Sequence, residues 1–140
     1  MARNLIDAGY EVRGWNRSSL PENMTAGIQL CQKLEKAARA DVCLLMLLDS
    51  AAVNAVLEQL TPHLSPGRII LDMGSSDPAQ FRKIAPRLAA EGIGWVDAPV
   101  SGGPEGASKG TLAIMARRQI QLVMIIPAPY SIISPDFGFY

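Results

Sequence analysis

Between Asp41 and Asp49 the chain reads V-C-L-L-M-L-L, a run without one polar side chain. It is far shorter than the roughly 20 apolar residues that cross a bilayer. It suits a strand shielded on both faces, as in parallel sheets covered by helices. Ile69 to Asp72, reached through a Pro66-Gly67 turn, reads as a second buried strand, and Trp95 to Val100 as another. The stretches between them have helical spacing. Ala52, Val53, Val56, Leu57 and Leu60 line one face of Ala51 to Leu60, and Pro78 opens a helix that runs to Glu91 and stops at Gly92. Apolar strands alternating with helices predict an α/β fold with a mostly parallel sheet.

The flanking segments extend the alternation. Met1 to Gly9 reads as a helix that starts without a capping residue and ends at Gly9. Glu11 to Trp15 is a short strand and Asn16-Arg17-Ser18-Ser19 a polar turn. Ile28 to Leu30 is a weak strand and Gln32 to Ala40 a helix. Beyond Val100, a glycine-rich loop from Ser101 to Gly110 leads to a last strand, Thr111 to Met115. From Ala116 to Tyr140 neither period persists, and Pro127, Pro129 and Pro135 interrupt any long element. The division is therefore a domain over 1–115 and a tail over 116–140 that is not native to it.

The 140 residues suffice for one domain or a piece of a larger one. Thirteen basic side chains balance thirteen acidic ones, so no positive field is available for a nucleic acid or an anionic membrane. Cys31 and Cys43 read as reduced thiols rather than a disulfide framework. His63 has no second ligand at metal-binding spacing, so no metal site is expected. Without a basic-then-apolar leader, the expected location is the cytoplasm.

In an open α/β sheet ligands gather at the carboxyl ends of the strands. That singles out Asn16-Arg17-Ser18, Leu47-Leu48-Asp49, Gly74-Ser75-Ser76 and Ser101-Gly102-Gly103. A cation after the second strand can take a ribose 2′-phosphate, where an acid would take the 2′-hydroxyl. Arg17 with Ser18 thus points to NADP over NAD, although an ordinary solvated turn has the same composition. Gly102 and Gly103 allow backbone amides close to an anion, with Ser101 and Lys109 adding polar groups.

Asp97 to Leu112 reads D-A-P-V-S-G-G-P-E-G-A-S-K-G-T-L, and this string resembles the substrate-binding signature of the β-hydroxyacid dehydrogenases. That family includes 3-hydroxyisobutyrate dehydrogenases, tartronate semialdehyde reductases and glyoxylate/succinic semialdehyde reductases, and is related to 6-phosphogluconate dehydrogenase. Further segments agree in order. M-A-R-N-L-I-D-A-G resembles the first helix, V-R-G-W-N-R-S the second strand and NADP-type turn, A-D-V-C-L-L-M-L-L-D the fourth strand, and L-D-M-G-S-S-D-P the loop facing the nicotinamide.

The resemblance implies a Rossmann-like NADP-binding domain acting on a small hydroxy acid or semialdehyde. It assigns Asn16, Arg17, Ser18, Leu47, Leu48 and Ser75 to the cofactor, and Ser101, Gly102 and Gly103 to the substrate carboxylate. Leu48 stands where the family usually has Pro. The family's first strand and G-x-G-x-x-G turn have no match, so the sheet is expected to be truncated, with the second and fourth strands missing their shared neighbour. The family's catalytic lysine has no counterpart either, and Lys109 is in the wrong motif to replace it. The expectation is an inactive fragment of an NADP-linked dehydrogenase, with oligomers forming only if the helical domain were present. The alternatives are a nucleotide-binding remnant without catalysis and a non-functional truncated product.

Overall fold

The computed structural model describes residues 1–18, 20–74, 77–118 and 131–133. In chain order the elements are α1 (Ala2–Asp7), β1 (Arg13–Gly14), α2 (Glu22–Thr25), β2 (Gln29–Leu30), α3 (Leu34–Ala37), β3 (Val42–Leu45), α4 (Ser50–Leu60), β4 (Ile69–Asp72), α5 (Pro78–Ala90), β5 (Gly94–Asp97), β6 (Val100–Ser101), α6 (Gly103–Lys109), β7 (Ala113–Met115), β8 (Arg117–Arg118) and β9 (Ser131–Ile133). The alternation read from the sequence is present, and the fold is α/β.

The central ladder is parallel. Leu44 pairs with Leu71, and Leu71 with Val96; one step on, Leu45, Asp72 and Asp97 stand side by side. Successive residues face opposite sides of a sheet. Cys43, Leu45, Ile70 and Trp95 therefore share one face, and α4 and α5 close over it. Val53, Val56, Leu57 and Leu60 of α4 and Phe81, Ile84, Ala85 and Leu88 of α5 join them in the main core. Phe81 and Trp95 meet with ring centroids 6.4 Å apart.

The opposite face is covered unevenly. Leu71 and Met73 are buried there with Ala98 and Ile114, flanked by Met1 and Val100. No β3 side chain belongs to this cluster. Val42 and Leu44 remain 43% and 37% exposed, and Met46 beyond them 52%. The expectation that Val42 to Leu48 is shielded on both faces is corrected accordingly. Helices cover β3 on one side only.

The strands fall into three ladders: β1 with β2, then β3-β4-β5-β8, then β6-β7-β9. β1 and β2 pair in parallel, Arg13 with Gln29 and Gly14 with Leu30. Among the described residues no strand lies between β1 and β3, as the truncated sheet predicted. β8 adds to β5 antiparallel, and β9 pairs with β7 in parallel. Gln121 to Ile126, an apolar run of strand length in the tail, lies outside the described residues.

The glycine-rich segment is a second correction. Instead of an open loop, Gly103–Lys109 is a helix, closed by Gly110 in the left-handed conformation. The Met1 ammonium and Asn4 Nδ2 both donate to the Ala107 carbonyl, which ties α1 to α6. No helix among the described residues is long and apolar enough to cross a membrane.

Candidate functional site

The carboxyl ends of β1, β3, β4 and β5 lead into the segments singled out above. After β1, Trp15 packs against the main core, and Asn16, Arg17 and Ser18 then run exposed. Asn16 Nδ2 donates to the Ser18 carbonyl at 2.8 Å, which shapes the turn. Arg17 has no carboxylate partner among the described residues. Arg13 pairs with Glu11, Arg68 with Asp41 and Lys109 with Glu105.

After β3 the chain presents two leucines in opposite ways. Leu47 is half-buried against the main core. Leu48 is 90% exposed, an unusual position for a large apolar side chain. Asp49 then caps α4, its carboxylate accepting from the Ala52 N–H at 2.8 Å. Asp77 caps α5 in the same manner through the Ala79 N–H. Each helix N-terminus thus already holds a capping carboxylate, whose charge opposes a phosphate there.

The loop after β4 begins with Asp72, 1% exposed, whose Oδ1 accepts the Gly74 N–H at 3.1 Å. This bond is local, spanning two residues of the chain. The Gly74 backbone lies against the Leu47 carbonyl, so the loops after β3 and β4 touch. Ser75 lies outside the described residues. After β5, the Ala98 N–H donates to the Asp72 carbonyl at 2.7 Å, and the chain turns away to β6.

Ser101, Gly102 and Gly103 follow on an exposed corner. Gly102 has φ 131° and Gly103 φ 61°, backbone states that side chains disfavour. A Cβ on Gly103 would meet nothing within 4 Å, so the surface there is open. Lys109 Nζ is 2.7 Å from Glu105 Oε1, which ties it to its own helix face.

The structure therefore brings Leu47 against Gly74, with the exposed Leu48 next along the loop and the β5 end beside β4. Trp15 and Leu47 share one core, which places Asn16-Arg17-Ser18 on the ladder that adjoins it. Ser101-Gly102-Gly103 stands apart, on the ladder of β6 and β7. The sequence singles out Gly74 with Ser75 and Ser76, and its close approach to Leu47 is an addition from the structure.

Comparison with known proteins decides the family. The family model described as the NAD binding domain of 6-phosphogluconate dehydrogenase matches residues 1–121. The chain is a β-hydroxyacid dehydrogenase family member. It is similar to the 2-(hydroxymethyl)glutarate dehydrogenase of Eubacterium barkeri, 34% identical over 142 residues, covering 97% of this chain and 47% of that protein. It is also similar to the NAD-dependent L-serine dehydrogenase of Pseudomonas aeruginosa, 34% identical over 121 residues, covering 82% of this chain and 41% of that one. Among solved structures, the Mycobacterium tuberculosis 3-hydroxyisobutyrate dehydrogenase with L-serine superposes with a TM-score of 0.72 at 29% identity, covering 82% of this chain and 40% of that one. The chain spans less than half the length of these relatives. The part it spans is the family's Rossmann-like NAD(P)-binding domain.

The residues present fit the two ends of a dinucleotide. An exposed guanidinium with no carboxylate partner among the described residues suits a phosphate, and the exposed Leu48 suits an apolar ring face.

Proposed function

We propose that the chain is the cofactor-binding part of an NADP-linked 3-hydroxyacid dehydrogenase or semialdehyde reductase, and that it does not turn over substrate alone. Arg17 carries this reading. It is an exposed cation directly after the end of β1, flanked by Asn16 and Ser18, with no acid in the turn to accept a ribose 2′-hydroxyl. That favours NADP over NAD.

In this reading Leu47, Leu48 and Ser75 face the nicotinamide half of the cofactor. Ser101, Gly102 and Gly103 take the carboxylate of a small hydroxy acid or aldehyde acid. When bound, the cofactor supplies or accepts a hydride. The acid that protonates the carbonyl oxygen would come from outside this chain, because Lys109 is engaged by Glu105. The domain covers 1–115, and 116–140 is a tail foreign to it. The protein is cytoplasmic, binds no nucleic acid, and forms oligomers only with a helical portion added.

Thermal unfolding with and without millimolar NADPH tests the site, since a ligand that binds only the folded state raises the transition by mass action. The transition is expected to rise with NADPH and less with NADH. Arg17→Ala should lower NADPH affinity roughly tenfold, in line with about 1.5–3 kcal/mol for a charged hydrogen bond, and abolish the preference over NADH. Equal shifts by both nucleotides in the unaltered chain would sink the NADP assignment. Steady oxidation of NADPH with succinic semialdehyde, glyoxylate or methylmalonate semialdehyde would overturn the inactivity.

A second reading, a truncated product with no function of its own, is favoured by one observation: among the described residues no strand pairs with the outer side of β3. Absence of any cooperative transition would select it.

A further inference from the structure

The loops that follow β3 and β4 are fastened to each other at two points. At the first, the buried Asp72 carboxylate accepts the Gly74 N–H at 3.1 Å and closes a two-residue turn. That turn presses Gly74 onto the preceding loop. A Cβ at Gly74 would stand 2.7 Å from the Leu47 carbonyl oxygen and 3.3 Å from Asp72 Oδ1. The obstacle is backbone, so no side-chain rotation relieves it, and only glycine permits the approach. At the second point, the Asp77 N–H donates to Ser50 Oγ at 3.1 Å. The ladder continues beneath both, with the Met73 N–H donating to the Leu45 carbonyl at 2.9 Å.

The residue that benefits is Leu48. Its neighbour Leu47 is pinned by its carbonyl against Gly74 and by its side chain against the core. With Leu47 fixed, Leu48 is forced outward, where it is 90% exposed. A leucine so exposed on a free loop would fold back onto apolar surface. Here the backbone beneath it is held.

We infer that Asp72 and Gly74 are positioning residues that set the Leu47–Leu48 loop for the nicotinamide half of the dinucleotide. This rests on the NADP reading above. Neither residue touches the nucleotide. They act by fixing the backbone that presents Leu48, and Ser50 supports the same junction from the other side.

Calorimetric titration of the full chain with two ligands, NADPH and adenosine 2′,5′-bisphosphate, tests this. The second ligand has the adenosine end alone. Gly74→Ala should weaken NADPH about tenfold and leave the bisphosphate within twofold. Ser50→Ala, which removes only a peripheral hydrogen bond, should give a smaller loss with the same selectivity, and it remains informative where Gly74→Ala does not fold. Equal loss of both ligands would overturn the inference, because it indicates general destabilisation. Unchanged NADPH binding in both variants would overturn it while leaving the NADP reading intact. An unaltered chain that binds neither ligand would overturn the NADP reading and this inference with it.

Discussion

Cys43 lies on the helix-covered face of β3, and burial pushes its thiol above the ordinary value because the thiolate would lose its water. A raised acid pKa in the folded state has a definite consequence for stability. The contribution is full below the unfolded thiol's pKa of about 8.5, and it is lost as pH rises through the raised folded value. Melting temperatures between pH 7 and 10 should therefore fall less steeply in Cys43→Ala than in the unaltered chain. Identical slopes would show that the thiol ionises over the same pH range folded and unfolded, so that its burial carries no cost. At the same scale, Leu57 is fully buried between α4 and the sheet, and Leu57→Ala should cost about 2–5 kcal/mol in chemical denaturation. Gly74 shows what residue-level reading of the sequence leaves out. Its role depends on a carbonyl 27 positions away in the chain, and no local pattern signals that contact.

Elements with a strong local signature were legible. α5 begins with Asp77 and Pro78 and ends before Gly92, so its cap, first turn and stop are all written locally. α6 was not legible. Its glycines argue for a loop, and it is tied down by the Met1 ammonium and Asn4 on the Ala107 carbonyl, contacts spanning more than a hundred residues. Proline gives a further test inside α5. Pro86 sits in the exposed part of the helix interior, where it removes a backbone donor and crowds the preceding turn. Pro86→Ala should stabilise the chain by roughly 2 kcal/mol, a helix gain offset in part by a freer unfolded state. Asp49→Ala and Asp77→Ala, each removing an N-cap, should each cost about 1 kcal/mol. A rise in melting temperature for either cap variant would contradict the geometry.

The parallel α/β architecture follows from three apolar runs and the helices between them. The uncovered side of β3 does not, because an apolar strand reads the same whether or not anything packs across from it. That side is exposed among the described residues, where β3 is an edge strand without a charged or proline residue to deter pairing. Val42→Lys should reduce concentration-dependent association in sedimentation experiments while leaving the melting temperature within a degree or two. Unchanged association would mean that the β3 edge is not the sticky surface.

Separate ladders also mean separate thresholds for opening. The Ile70 and Leu71 amides are locked within β3-β4-β5, each strand clamped by its neighbours and one face roofed by two helices. The Gln29 and Cys31 amides donate only to Val12 and Gly14 in the small pair β1-β2. No ladder bond among the described residues joins that pair to the larger sheet, and its attachment rests on side chains such as Trp15 and Leu34. Regions so loosely coupled can unfold in stages, the weaker unit detaching while the stronger persists. In native-state hydrogen exchange, the N-terminal amides should exchange through a partial opening well below the cost of global unfolding. Such an opening would break the adenosine end of the nucleotide site first, so the ligand would act less as a passenger than as the cross-link between two halves of a divided sheet.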